Sequence, residues 1–149
     1  MEKNIYLAGA MEVYSGTDKA KVWRNEVKKL FKEYDYNFNI ISPVDFYDYN
    51  SCNHKTDYEV FKFDLRLVAQ SNILLINLND IRKSIGTCVE CYEAYKNNIP
   101  VIGFINEVFN ESDLPDIIHP WIYCCCDRIE VGNESMKNAV RYIGEYYSC

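Results

Sequence analysis

Asn72-Ile73-Leu74-Leu75-Ile76-Asn77-Leu78 is the stretch that decides the fold class, because it is apolar almost without interruption over the length of one β-strand. A strand with one face in water alternates apolar and polar residues, whereas a continuous apolar run predicts a strand covered on both faces, as in a parallel sheet. Residues 4–8, 38–42 and 101–105 have the same character. A fifth candidate, residues 122–131, is more polar, which favours a place at the edge of the sheet.

Helical patterns separate these strands. Apolar residues recur at helical spacing over residues 18–34, 58–70 and 135–147, and a further helix is predicted from about residue 88 to residue 97. Strand and helix alternate throughout, which predicts an α/β fold: a Rossmann-like, doubly wound, mostly parallel sheet of about five strands with flanking helices. With no repeat or linker, residues 1–149 are expected to form a single domain. Ligands of such sheets bind beyond the carboxyl ends of the strands.

Composition limits the partners. The chain has 149 residues, 48% of them hydrophobic, and a formal net charge of -6. A negative surface repels polyanions, so a nucleic acid polymer is not expected to bind, although a small phosphorylated ligand remains possible at a local site. No run is long and apolar enough for a signal peptide or a membrane span. The seven cysteines are odd in number and clumped, which favours reduced thiols and a cytoplasmic protein.

The pair Cys88-x-x-Cys91 has the spacing of two ligands of a zinc site. A structural zinc site needs a second such pair or suitably spaced histidines, and neither His119 nor the run from Cys124 to Cys126 repeats the spacing. We therefore expect no metal. The sequence also lacks a Gly-x-Gly-x-x-Gly motif and a Walker loop, so dinucleotide redox chemistry and nucleoside triphosphate hydrolysis are poorly supported.

The segment Ser84-Ile85-Gly86-Thr87-Cys88-Val89-Glu90 follows the run that decides the fold and opens a helix. Free N–H groups at a helix N-terminus suit an anionic ligand, and Gly86 lets backbone approach it closely. Glu90 is expected in the first helical turn, where positive potential would keep its carboxylate ionised, as a nucleophile requires. Thr87-x-x-Glu90 also has the spacing of a capping box, in which both side chains only satisfy free backbone N–H groups.

Four segments, in this order along the chain, resemble the nucleoside 2-deoxyribosyltransferase family. They are Ile5-Tyr6-Leu7-Ala8-Gly9, residues 71–78, Gly86-Thr87-x-x-Glu90-x-x-x-Ala94-Tyr95 and Ile99-Pro100-Val101-Ile102-Gly103. The resemblance covers the chain from Met1 to about Phe104 and fades in the C-terminal third. The ordered set is more specific than any one motif, and it favours a catalytic Glu90 over a helix cap.

The resemblance implies a mechanism. Glu90 would attack the anomeric carbon of a nucleoside, displace the base and form a covalent glycosyl ester, which a second base or water then resolves. Tyr6 would orient this nucleophile, and Asp64 would bind or protonate the base. Protonation of the base and carboxylate attack suffice for this reaction, so no cofactor is expected.

Further residues would complete the site. Gly9, Ser84, Gly86 and Thr87 are expected to shape the pocket, and Asp45 and Asp80 to contact the base or sugar. Each candidate also has a structural interpretation. Tyr6 could be an interior aromatic residue. Asp64 could form a surface ion pair with Lys62 or Arg66, Asp45 could be a turn residue and Asp80 a solvated loop charge.

Ser84 departs from part of the family. Many transferases of free nucleosides carry an aspartate six residues before the glutamate, whereas a serine is similar to the related deoxynucleoside 5′-monophosphate N-glycosidases. A serine removes one negative charge and offers a hydroxyl to a phosphate oxygen. Asp80 could replace the missing carboxylate, so the choice between a free nucleoside and a 5′-monophosphate stays open.

The function expected is therefore transfer of a deoxyribosyl group from a nucleoside to another base. The alternatives are hydrolysis of a nucleoside 5′-monophosphate, and a non-catalytic nucleotide sensor in which Glu90 is only a helix cap. The partners expected are a small nucleoside or nucleotide and a free base. The family resemblance further implies a homo-oligomer, with the apolar face of the last helix, ending in Tyr146-Tyr147, as a candidate contact.

Overall fold

The sheet has five strands. A computed structural model describes residues 1–46 and 55–149, and the predicted thiol Cys52 lies outside these ranges. The strands are β1 (Lys3–Ala8), β2 (Phe38–Ile41), β3 (Ile73–Asn77), β4 (Val101–Ile105) and β5 (Arg128–Val131). They are ordered β2-β1-β3-β4-β5, and each neighbouring pair is parallel. The predicted fold class is confirmed.

Within the described ranges, six α-helices connect or follow the strands. They are α1 (Lys19–Glu33), α2 (Asp57–Ala69), α3 (Ile85–Lys96), α4 (Leu114–Ile117), α5 (Pro120–Cys125) and α6 (Ser135–Tyr147). Short 3-10 turns follow β1, β2 and β3 at Glu12–Tyr14, Pro43–Asp45 and Ile81–Lys83, and a fourth, Glu111–Asp113, leads into α4. None of the helices in the described ranges is long and apolar enough to span a membrane.

The sheet is covered on both faces, which explains its continuous apolar strands. Alternate residues of β1 point to opposite sides: Ile5 and Leu7 pack in one core cluster, and Tyr6 and Ala8 in the other. The Ile5 side is covered by α1 and α6, and the Tyr6 side by α2, α3 and α5. Such burial stabilises the fold by about 25 cal/mol per Å² of apolar surface.

The fifth strand was predicted too long. Residues 120–125 form α5, and β5 begins only at Arg128. Pro120 suits the first turn of a helix, and the Nδ1 atom of His119 accepts a hydrogen bond from the backbone N–H of Trp121 at 3.2 Å. The buried residues Ile122 and Cys125 are three positions apart, a helical rather than a strand spacing.

The apolar face of α6 does not form an external surface. Ala139, Val140 and Ile143 are fully buried in the core cluster on the α1 side of the sheet. Tyr147 packs against the same cluster, and Tyr146 is exposed. The proposed contact surface on this face is therefore wrong, because α6 uses the face to cover its own sheet. Self-association itself stays a prediction.

The strand order creates a crevice beside β1. The chain goes from β1 to β2 on one side of it, and then returns to β3 on the other side. The loops that follow β1 and β3 therefore lead in different directions from adjacent strand ends. Such a switch point is where doubly wound sheets bind ligands.

Candidate active site

Tyr6 and Glu90 meet at this crevice. Tyr6 lies on β1 with its side chain fully buried, and Glu90 projects from α3. The Tyr6 hydroxyl donates a hydrogen bond of 2.6 Å to the Oε1 atom of Glu90, joining residues that are 84 positions apart. One carboxylate oxygen is thus held by Tyr6.

The sequence suggests that Glu90 lies in the first helical turn. The structure places it in the second turn instead. Helix α3 begins at Ile85 with Ser84 as its N-cap, so Glu90 is the sixth helical residue and belongs to the second turn. Thr87 is then inside the helix and cannot be the N-cap of a capping box. The capping-box interpretation of Glu90 is wrong, because the helix begins three residues earlier than that interpretation requires.

Burial, rather than the helix terminus, dominates the charge state of Glu90. Desolvation raises the pKa of its carboxyl to about 8. The Tyr6 hydrogen bond and the positive charge of Arg24 oppose this rise, whereas the negative charge of Asp64 adds to it. The expectation of a carboxylate kept ionised by the helix N-terminus is therefore wrong at neutral pH.

Asp64 provides a second carboxyl near Glu90. It lies on α2, is 8% exposed, and acts on the charge of Glu90 across the α2–α3 contact. Lys62, considered as a surface partner, instead lies over the Tyr58 ring at 5.3 Å from its centroid. Two neighbouring carboxyl groups favour a state in which one is protonated and the other is ionised, which suits a proton donor beside a nucleophile.

Gly9 forms a tightly packed wall at the end of β1. A Cβ atom added to it would lie 2.7 Å from the Trp23 ring and 3.2 Å from the Cβ atom of Asn77. The Gly9 carbonyl accepts a hydrogen bond of 3.0 Å from Arg24 of α1. Glycine is therefore required here by close approach of neighbouring side chains.

Asp80 is engaged by protein groups on both oxygens. The Tyr14 hydroxyl donates to Oδ2 at 2.6 Å, and Lys83 binds Oδ1 at 3.1 Å. The hydrogen bond from Tyr14 is the main cause that lowers the pKa of Asp80, and the bond from Lys83 is the second. Burial and the bond to Asp80 raise the pKa of Tyr14. Asp80 has a φ of 58°, a left-handed conformation that aspartate tolerates. These bonds tie the loop after β1 to the loop after β3.

The start of α3 contains Ser84, Gly86 and Thr87. The hydroxyls of Ser84 and Thr87 are 2.7 Å apart and hydrogen-bonded, and Thr87 is buried. Apart from the adjacent residues and backbone of its own helix, an added Cβ atom on Gly86 would have no atom of the described residues within 4 Å. Space for a ligand is therefore open at this helix start.

Asp45 is not brought together with Glu90 by any described contact. It ends the 3-10 turn after β2 and forms a 2.6 Å ion pair with Lys28 of α1. Its side chain is 47% exposed. The turn interpretation of Asp45 fits this position better than a substrate contact does.

Two cysteines of α3, Cys88 and Cys91, pack in or against the core cluster on the Tyr6 side of the sheet. Burial raises the pKa of the Cys88 thiol, and the thiols of Cys125 and Cys126 interact with buried Cys91. No group of three or more His, Cys, Asp or Glu side chains in residues 1–46 and 55–149 is arranged to hold a metal ion.

Two surface cavities formed by described residues lie away from the candidate site. One of about 330 Å³ is lined by residues between the end of α1 and β2, including Phe31, Tyr36 and Phe38. Another of about 290 Å³ lies between α5 and β5, beside Tyr123 and Cys126. We locate the site from its chemistry and from the strand order, because neither cavity is lined by Glu90, Tyr6 or Asp64.

Sequence reasoning missed Arg24 and Tyr14. A signal for Arg24 was present: it is four residues after Ala20 and three before Val27, on the apolar stripe of α1, where a charge requires partners. Tyr14 carried no comparable signal, because its partner Asp80 is 66 residues away.

Comparisons with known proteins identify the family and agree with the fold. The family model described as nucleoside 2-deoxyribosyltransferase matches residues 5–133. No curated protein shows significant sequence similarity to the chain. Three similar solved structures are 12–16% identical to the chain, which is low enough that they show the shared fold alone.

A conserved protein from Enterococcus faecalis has a TM-score of 0.70 and 15% identity, covering 95% of this chain and 99% of its own. A 2-desoxiribosyltransferase from Leishmania mexicana has a TM-score of 0.68 and 16% identity, covering 97% and 99%. A CMP N-glycosidase from Clostridium botulinum has a TM-score of 0.59 and 12% identity, covering 97% and 100%. The family model spans most of the sequence, and the chain therefore belongs to the nucleoside 2-deoxyribosyltransferase family, a family of enzymes.

Proposed function

We propose that this enzyme cleaves the N-glycosidic bond of a (deoxy)nucleoside and transfers the deoxyribosyl group to another base through a covalent ester on Glu90. The observation that carries the proposal is the 2.6 Å hydrogen bond between Tyr6 and Glu90 at the switch point of the sheet. Glu90 lies in the second turn of α3, past the free N–H groups of the helix start, so its carboxyl does not serve as a helix cap.

In the first step, an oxygen of ionised Glu90 attacks the anomeric carbon. The bond between this carbon and the base nitrogen breaks, and its electron pair goes to the base. Asp64 in its protonated form supplies the proton that the departing base takes up. Because Tyr6 holds Oε1 of Glu90, the second oxygen is available for attack.

In the second step, a nitrogen of the incoming base attacks the same carbon. The ester bond to Glu90 breaks, and its electron pair restores the carboxylate. The proton lost by the incoming base returns to Asp64, so the enzyme regains its starting state. A positively charged, oxocarbenium-like centre forms in both steps, and a carboxylate stabilises it.

Hydrolysis of a nucleoside 5′-monophosphate is the alternative that a specific observation favours. Ser84 is the N-cap of α3, and the space beside Gly86 is open. A phosphate oxygen could accept hydrogen bonds from the Ser84 hydroxyl and from free N–H groups at this helix start. Water would then replace the incoming base in the second step.

The test is chromatography of the products formed from deoxynucleosides and deoxynucleoside 5′-monophosphates, each with and without a second free base. Exchange of bases supports the transferase, and release of base from monophosphates alone supports the hydrolase. Ligand binding without base release would instead favour a nucleotide sensor. Glu90→Ala is expected to lower turnover by about 10³-fold or more, because it removes the nucleophile.

A matched control for this variant is Glu93→Ala, one helical turn further along α3. Glu93 pairs with Lys96 at the surface and does not face Tyr6. Full activity of Glu90→Ala, or equal losses in both variants, would overturn the role of Glu90.

Partners follow from the same chemistry. We propose that the enzyme acts on a small nucleoside or nucleotide with a free base as second substrate, and that it self-associates. Static light scattering of the purified protein measures the oligomeric state, and a monomeric mass at micromolar concentration would contradict self-association.

A further inference from the structure

Arg24 is a charged residue in the core. It lies on α1 in the face that carries Trp23 and Val27, and it is 1% exposed. Burying a guanidinium costs free energy unless its N–H groups and its charge are satisfied. The contacts that satisfy it therefore indicate what the residue does.

The first contacts are with the end of β1. One terminal nitrogen, Nη2, is 3.0 Å from the Gly9 carbonyl oxygen and 3.5 Å from that of Leu7. The other, Nη1, donates to the Ala20 carbonyl at 2.8 Å, and the guanidinium lies over the Trp23 ring at 4.4 Å. Arg24 thus fixes the strand end beyond Tyr6, beside the proposed reaction centre.

The second contribution is charge. The Arg24 guanidinium stays protonated at all relevant pH values, and its positive charge acts on Glu90. Asp64 from α2 acts on Glu90 in the opposite sense, and Tyr6 from β1 is its hydrogen-bond donor.

Thiols also lie near Glu90 in the described part of the chain. Cys91 is its neighbour on α3, and Cys125 and Cys126 approach Cys91 from α5. A hydrogen bond with Cys126 and burial raise the pKa of Cys91 far above its usual value, so this thiol is neutral at physiological pH. Among these groups, Arg24 supplies the positive charge whose effect on Glu90 opposes that of Asp64.

We propose that Arg24 is a positioning residue of this enzyme, which holds the Gly9 end of β1, and with it the strand that carries Tyr6, in place beside Glu90. Its catalytic consequence rests on the proposed role of Glu90 as nucleophile, whereas its effect on the charge of Glu90 does not. The two are therefore separable by experiment.

The experiment titrates Glu90 directly. Carboxyl carbons are followed by NMR in protein labelled with ¹³C-glutamate, and the Glu90 signal is assigned by its absence in Glu90→Gln. Arg24→Gln is expected to move the Glu90 midpoint upward by about one pH unit, because an opposite charge is lost. Arg24→Lys keeps the positive charge, so the Glu90 midpoint is expected to stay close to that of the parent.

Catalysis is measured on the same variants. Below the midpoint, one unit of upward shift lowers the ionised fraction, and hence kcat/KM at pH 7, about tenfold. Arg24→Lys is expected to lower kcat/KM by a factor that does not vary with pH, because lysine lacks the planar fork that binds the Ala20 carbonyl and the carbonyls at the end of β1. Arg24→Met keeps a long side chain and replaces Arg24→Gln if that variant does not fold.

The control is Lys29→Gln, which removes one exposed positive charge from the same helix. An unchanged Glu90 midpoint in folded Arg24→Gln or Arg24→Met would overturn the proposal. A shifted midpoint in a parent protein without any base release would retain the electrostatic role of Arg24 and refute the nucleophile instead.

Discussion

At the residue scale, the carboxyl of Glu90 is surrounded by groups that change its charge in opposite directions. Desolvation and Asp64 favour the neutral acid, and Tyr6 and Arg24 favour the carboxylate. The balance lies at a pKa of about 8. If Glu90 is the nucleophile as proposed, small changes around it should alter activity near neutral pH, where part of the protein carries the ionised carboxylate.

Removing the Tyr6 hydroxyl deletes one of the two groups that favour the ionised form of Glu90. Tyr6→Phe deletes the donor to Oε1 and should raise the pKa of Glu90 further, since the hydrogen bond to the charged form is lost. A hydrogen bond to a charged group contributes about 1.5–3 kcal/mol, so kcat/KM at pH 7 should fall about tenfold to a hundredfold. Steady-state kinetics measure the loss. Tyr95→Phe, an exposed residue of α3, is the control and should be neutral.

Asp64→Asn removes a group that favours the neutral form of Glu90. Loss of the negative charge should lower the pKa of Glu90, so the rise of kcat/KM with pH should begin at lower pH than in the parent. The fall of kcat/KM at higher pH, which deprotonation of Asp64 causes in the parent, should be absent from the variant. The maximum should also fall by about 10² or more, because asparagine cannot protonate the base. The pH profiles of both proteins measure this. Asp57→Asn, exposed at the start of α2, should reproduce the parent, and a superimposable profile for Asp64→Asn would exclude Asp64 from the site.

At the element scale, α6 shows why a glycine occurs inside a helix. Gly144 is fully buried, and a Cβ atom there would lie 2.1 Å from the Tyr36 ring. The ring is backed by Phe31 and Tyr34 in edge-to-face contacts. The close approach of α6 to this aromatic group therefore depends on the missing side chain.

Gly144→Ala should destabilise the protein even though alanine is the better helix former. Overpacking against Tyr36 should cost about 1–3 kcal/mol, more than the gain of about 1 kcal/mol in helix propensity. Denaturant unfolding measures the change. Gly86→Ala in α3, which has open space around it, is the control and should not lower stability. Equal stabilisation of both variants would show that Tyr36 does not constrain α6.

At the scale of the whole molecule, the raised pKa of Glu90 links folding to pH. Its carboxyl has a pKa of about 8 in the folded protein and near 4.5 in the unfolded chain, so the folded state retains the proton to higher pH. The contribution of Glu90 to the free energy of unfolding is therefore fully present below about pH 4.5, decreases between about pH 4.5 and 8, and is constant above pH 8.

Glu90→Gln should remove this dependence. Compared with the parent, the variant should gain stability as the pH is raised from 5 to 8, and the difference should stop growing above the pKa of about 8. Urea unfolding at several pH values measures both proteins. A difference that is independent of pH would show that Glu90 is already ionised in the folded protein at pH 5.

The sequence by itself determined the parallel sheet and the positions of α1, α2, α3 and α6, because continuous apolar runs and helical stripes are local patterns. Together with the family resemblance, it also identified Glu90, Tyr6 and Asp64 as candidates. Residues 122–125 were assigned to a strand because a short apolar run fits strand and helix equally well, and the N-cap at His119 went unnoticed.

Only the tertiary structure decided the state of these candidates. The charge of Glu90 depends on burial and on Tyr6, Asp64 and Arg24, which come from three other elements of the chain. Asp45 is drawn to Lys28 and Asp80 to Tyr14 for the same reason: their partners are distant in sequence and adjacent only after the strands have been ordered. Desolvation and charge act through space, and the order of strands in the sheet determines which residues are neighbours in space.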